Sequence, residues 1–175
     1  MNRRLHSHSQ GFTLIELLIV VAIIGIIASM LVPNLLDAMQ KTKQKRTMAD
    51  MRITGGAMFS WLTDQVGAAA AGQASTVIDL GDYGGKKTVG DLQAVLVPIY
   101  LQDIPARDGW KSAYDYYLKT GNPHSRNVMA IRSTGRDSQP EGNEYTVTGF
   151  EPTDYDRDVV WADGFMVRWP EALKR

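Results

Sequence analysis

Glu16 is the one ionisable residue between Phe12 and Val32, a run otherwise made of apolar or small uncharged side chains. A carboxylate in such surroundings needs a cation beside it, or a position shallow enough to reach polar headgroups. A second group is acidic. Asp154, Asp156 and Asp158 alternate, which suits either hard-cation ligation or a solvated face, but Val159 and Phe165 stand where an EF-hand loop needs glycine and glutamate. A third group is aromatic: Trp110, Tyr114, Tyr116 and Tyr117 could stack on a sugar. The period-two spacing of Tyr114 and Tyr116 reads more simply as the inward face of a strand, with Trp110 closing the core. No catalytic constellation accompanies these groups. His6 and His8 lie near the start, and His124 is alone in the turn-like Gly121-Asn122-Pro123-His124. There is no cysteine, no G-x-S-x-G elbow and no phosphate-binding glycine loop. Asp108 and Asp137 could do acid–base work, but nothing pairs them along the chain.

The elements that must carry these residues follow from periodicity. As a helix, the 21 residues from Phe12 to Val32 rise roughly 31 Å, close to the ~30 Å apolar thickness of a bilayer. Gly25 would let a neighbouring helix approach, and Pro33 would bend the axis or mark a stretch that loosens. Beyond Pro33, Met51, Gly55, Met58 and Leu62 form a stripe at helical spacing, predicting one long helix from about 12 to 65. The flanking Lys41, Lys43, Lys45 and Arg46 read as a solvated face or an anionic-lipid contact. From Gly67 to Gly90 six glycines fall in 24 residues, which predicts a connector. A short helix is expected at Val89–Val97 and strands from Tyr114, at Asn127–Arg132, at Tyr145–Thr148 and across Val159–Trp169. The last is broken by the hairpin dipeptide Asp163-Gly164.

Composition narrows the function classes. With 19 basic and 19 acidic residues among 175, no net field favours nucleic acid. A chain this long, less a membrane helix, leaves one modest domain, and without cysteine no disulfide supports it.

The block Gly11-Phe12-Thr13-Leu14-Ile15-Glu16, ahead of the apolar run, resembles the processing site of type IV pilins and type II secretion pseudopilins. The resemblance implies that a prepilin peptidase cuts between Gly11 and Phe12 and N-methylates Phe12. It also implies that Glu16, which in lipid lacks a cation, pairs with the terminal amine of an adjoining subunit. His6, His8, Arg3 and Arg4 would leave with the leader. Pro98-Ile99-Tyr100-Leu101, then Asp108-Gly109-Trp110 and Tyr114-Asp115-Tyr116, are similar to the major pseudopilins' P-x-Y-[IL] turn and D-P-W-G-x-P-Y-x-Y. Gly109 replaces that proline and Lys111 that glycine. Ser133-Thr134-Gly135-Arg136-Asp137 and Asp156-Arg157-Asp158-Val159 are similar to loops that hold calcium in that family, which would make Asp137, Asp156 and Asp158 the ligands. Whether these stretches meet across the loop from Ser138 to Tyr155 is open, and a solvated acidic surface is the alternative.

The fold expected is α+β and pilin-like: a long N-terminal helix, membrane-spanning in its first half, packed on a small antiparallel sheet. The segments would be a leader at 1–11, an assembly helix at 12–36, its amphipathic continuation at 37–66 and a periplasmic domain at 67–175. The implied role is a pseudopilus subunit that polymerises with its own copies and minor pseudopilins. It would be drawn from the bacterial inner membrane by a platform protein and an assembly ATPase. The alternatives are a type IV pilus subunit, serving adhesion, motility or DNA uptake, and a membrane-tethered periplasmic enzyme.

Overall fold

The computed structural model describes residues 11–67 and 76–171. Most of the expected leader and part of the expected connector, at 68–75, lie outside the described residues. The chain divides into two compact units, Met1–Ala38 and Met39–Arg175. The first helix, α1 (Leu14–Val66), contributes to both.

In the first unit α1 is unbroken through Pro33, which removes the amide that would otherwise bond the Ser29 carbonyl. Its large apolar side chains are exposed throughout, Leu14 at 87% and Met30 at 68% among them. Apart from that carbonyl the helix satisfies its own backbone polar groups, so this surface can lie in lipid with little hydrogen-bond deficit.

In the second unit the remainder of α1 packs on a six-stranded sheet of order β2-β3-β4-β7-β8-β6. The strands are β2 (Lys86–Lys87), β3 (Asp115–Leu118), β4 (Met129–Ser133), β6 (Thr148–Phe150), β7 (Val159–Ala162) and β8 (Phe165–Pro170). Met51, Gly55, Met58 and Leu62 are all buried, as their spacing predicts. Gly55 is there for contact: a Cβ on it would stand 2.5 Å from the Trp161 ring, whereas one on Gly56 would meet nothing within 4 Å. Helix α2 (Val89–Leu96) adds Leu92 and Leu96 to the same core. Thr88 and Asp91 close its amino end as a capping box.

The sheet has a second covered face. Along β4, Met129 and Ile131 join the core beneath α1, while Ala130 joins a separate cluster with Ile78, Leu80, Tyr83, Tyr117, Tyr145, Val160, Ala162 and Val167. The cover comes from β1 (Val77–Asp79), which pairs with β5 (Glu144–Thr146), and from the tight helical turn Leu80–Tyr83. The stretch expected to be a connector therefore holds core residues. Its signal was in the sheet: β4 and β7 are apolar at successive positions, the pattern of strands buried on both faces. The sheet is also mixed, since β6 runs parallel to β8. Asp163 and Gly164 have positive φ of 45° and 103°, forming the β7–β8 turn the dipeptide predicts. Trp110 does not close the core. It is half-buried, and its Nε1 donates to Gln40 Oε1 at 2.7 Å.

Candidate functional site

Helix α1 begins immediately after Thr13, and the sequence Thr13-Leu14-Ile15-Glu16 has the spacing of a capping box. The geometry completes it. The Thr13 amide and hydroxyl donate to Glu16 Oε2 at 2.8 and 2.7 Å, and the Glu16 amide donates to Thr13 Oγ1 at 3.3 Å. Glu16 is thus held by hydrogen bonds from a neutral amide and a neutral hydroxyl of its own chain. The carboxylate also sits in the first turn, where the helix dipole favours negative charge. Gly11 and Phe12 precede the helix and are exposed. Gly25 lies on α1 with nothing within 4 Å of where a Cβ would be.

The second candidate site is the pair of acidic loops. Strands β4 and β7 pair antiparallel with Ser133 opposite Val159, so the chain leaving β4 lies beside the chain entering β7. The two stretches meet. Gly135, at φ 67°, lies so close that a Cβ would be 2.8 Å from the carbonyls of Tyr155 and Arg157. The Arg136 amide donates to Tyr155 O at 2.8 Å.

The three aspartates, however, have separate partners. Both oxygens of Asp156 are taken by the Arg136 guanidinium, at 2.8 and 2.6 Å, and this fork holds the Asp156 carboxyl below its usual range. Asp137 is exposed and accepts the Gln139 amide at 2.9 Å. Asp158 is buried. Its Oδ2 accepts the Glu141 amide at 3.0 Å and the Tyr145 hydroxyl, while its Oδ1 is buried without a hydrogen-bond partner. Burial pushes the Asp158 carboxyl up, against the hydrogen bond from Tyr145. Arg132, itself buried, donates to the Tyr145 hydroxyl and forks onto Asp115 Oδ2 at 2.9 and 2.5 Å. Among the described residues no three His, Cys, Asp or Glu side chains are grouped so as to hold a metal ion.

Asp108 has a structural part that spacing did not suggest. Buried, it accepts the amides of Trp110 and Ser112, both at 2.9 Å, and the Ser133 hydroxyl at 2.7 Å, fastening the Asp108–Ser112 turn to the end of β4. With both oxygens so engaged it is a scaffold rather than a free acid or base. His124 is exposed.

An apolar helix opened by Thr13 and Glu16, continued by a stripe packed on a small sheet, defines the pilin-like class of membrane-anchored subunits. A family profile described as the prokaryotic N-terminal methylation motif matches residues 6–32. The type II secretion system core protein G of Pectobacterium carotovorum is 38% identical over 132 residues, covering 75% of this chain and 78% of its own length. That of Vibrio cholerae is 29% identical over 141 residues, covering 78% and 86%. The type IV major pilin protein PilA of Myxococcus xanthus is 37% identical over 62 residues, only 35% of this chain. No solved structure matches. The chain belongs to the type II secretion system core protein G family and is a pseudopilin, a structural subunit.

Proposed function

We propose that the chain is cut between Gly11 and Phe12 by a prepilin peptidase, N-methylated at Phe12, and polymerised from the inner membrane into a periplasmic filament that drives protein export. The observation that carries this reading is the head of α1. A single carboxylate, capped by Thr13, opens a helix long and apolar enough to cross a membrane, with no residue of its apolar window buried. In the membrane, Thr13 holds Glu16. During assembly the amine freed at Phe12 of an adjoining copy adds the cation that a hydroxyl and an amide do not supply, and this sets the register between subunits. Apolar area leaving lipid is covered again when neighbouring α1 segments pack together, with Gly25 at a position that admits a close neighbour.

The partners this reading implies are further copies of the chain, minor pseudopilins, the peptidase, a platform protein and an assembly ATPase, with no part for nucleic acid. The role is mechanical. Support for a non-catalytic domain comes from Asp108, both of whose oxygens are engaged in structural hydrogen bonds. The pilus alternative has the Myxococcus pilin behind it, over about a third of the chain.

Amino-terminal mass analysis of assembled protein, together with Glu16→Ala, tests the proposal. The expected mass is that of a chain beginning at methylated Phe12, and the variant should stay in the membrane without forming filaments. Filaments that retain the first eleven residues, or normal polymerisation of Glu16→Ala, would end it.

A further inference from the structure

We propose that in this chain the Arg136–Asp156 clip joins the two acidic loops in place of a metal ion, so that the domain folds and endures without calcium. A calcium ion takes about six to eight oxygen ligands, supplied by carboxylates and carbonyls free to turn toward it. Here the loops converge, but each of the three aspartates already accepts a hydrogen bond through at least one carboxylate oxygen. Asp156 is forked by Arg136, Asp137 accepts its own Gln139 amide, and Oδ2 of Asp158 accepts Glu141 N and the Tyr145 hydroxyl. Of the three aspartates, Asp158 keeps a buried oxygen without a hydrogen-bond partner, Oδ1, and that is a single ligand.

The guanidinium groups also do the joining expected of a metal. Arg136 binds the second loop through its backbone amide at Tyr155 O, through the fork at Asp156, and by lying 6.0 Å over the Tyr155 ring. Arg157 reaches Asp154 at 3.0 Å and Glu141 at 3.2 Å, and Arg168 reaches the other Glu141 oxygen at 3.2 Å. The segment after β4, Glu141, the 154–158 stretch and β8 are thereby linked by charge-assisted hydrogen bonds. A divalent cation entering this cluster would meet the positive charge of Arg136 and would have to displace it from Asp156. The position that decides the matter is the second variable one in Ser-x-Gly-x-Asp, occupied here by Arg136.

The test uses full-length protein in detergent micelles, followed by thermal unfolding and by elemental analysis after dialysis against calcium. The wild type should unfold at the same midpoint in chelator and in millimolar calcium, and retain no stoichiometric calcium. Arg136→Ala should lower the midpoint by about 2–4 °C, as loss of a partly exposed pair does in a chain of this size, and Arg136→Lys should recover only part of that because an ammonium cannot fork. A wild-type midpoint that falls with chelator and returns with calcium overturns the proposal. So does an Arg136→Ala protein that unfolds with the wild type. Should Arg136→Ala not fold, Asp156→Asn removes the other half of the clip, and the wild-type response to chelator decides by itself.

Discussion

Two stretches of α1 answer to different solvents. From Leu14 to Ala38 large apolar side chains lie on every side of the helix and are exposed; from Met39 to Val66 the stripe of Met51, Gly55, Met58 and Leu62 is buried. A helix that is apolar all round must find its cover outside its own fold, while an amphipathic one finds it within. On the function proposed above, the first stretch would carry the contacts with lipid and with other copies, while the second carries the stability of the domain. Substitutions should sort accordingly: those at the head of α1 should change assembly and leave domain unfolding alone, and those under the sheet should do the reverse.

The adjacent glycines of the second stretch give the largest contrast in stability. Gly55→Ala places a methyl 2.5–2.8 Å from ring atoms of Trp161, which must shift. Overpacking of this kind costs about 1–3 kcal/mol, and the gain in helix propensity of about 1 kcal/mol offsets only part of it. Gly56→Ala has that gain and no clash. Denaturant unfolding should therefore show Gly55→Ala less stable and Gly56→Ala more stable than the wild type, by up to about 1 kcal/mol for the latter. Equal effects at the two positions would mean that α1 does not lie on β7 as described.

This contrast was legible in part. The Met51, Gly55, Met58, Leu62 stripe was readable because period 3.6 survives in any sequence that buries one helix face, and Asp163-Gly164 because a positive-φ hairpin turn selects those residues. The cover at Val77–Tyr83 has no signal of its own, because a three-residue strand among glycines has too few positions to show a period; only the apolar runs of β4 and β7 point to it. At the head of α1 the methylation motif is plain, whereas the cap within it, Thr13 to Glu16, is hard to read because a carboxylate among apolar residues points equally to a missing cation. The acidic loops were recognisable as a pair, but that Arg136 claims Asp156 depends on the pairing of Ser133 with Val159, which no local pattern encodes.

A smaller effect separates the domain from the exposed head by pH. Asp163 accepts the Tyr83 hydroxyl at 2.6 Å and the amides of Val128 and Met129 at 3.2 and 3.3 Å, yet burial outweighs these bonds and raises its carboxyl above 3.8. In the window between 3.8 and that raised value the folded state holds more protons than the unfolded state. This group's contribution therefore makes stability fall as pH rises through the window, and it is level above it. Asp163→Asn retains a residue suited to the positive φ of 45° and should abolish that contribution. The difference in unfolding free energy between variant and wild type, followed across acidic pH, isolates it; a pH-independent difference would show that Asp163 titrates as it does in the unfolded chain.

The smallest effect expected lies where the Asp108–Ser112 turn meets α1. Gly109 approaches the Lys43 carbonyl too closely for any Cβ, and its amide donates to Thr47 Oγ1 at 2.9 Å. Glycine and its N–H are both in use there, where the related pattern has proline. Two residues on, the pattern's glycine is replaced by Lys111, which holds φ at 74° with an exposed side chain. A left-handed conformation costs an L-residue with a Cβ about 1–2 kcal/mol, and glycine escapes that cost while losing more backbone freedom on folding. The balance predicts that Lys111→Gly stabilises the domain by about 0.5–1 kcal/mol, measured by denaturant midpoint at unchanged slope. The bond from Arg107 to the Lys111 carbonyl, at 2.7 Å, is to the backbone and should survive the exchange. If the variant were instead destabilised, the lysine side chain would have to supply an interaction larger than the strain it tolerates, and the turn would owe its shape to that contact rather than to Asp108.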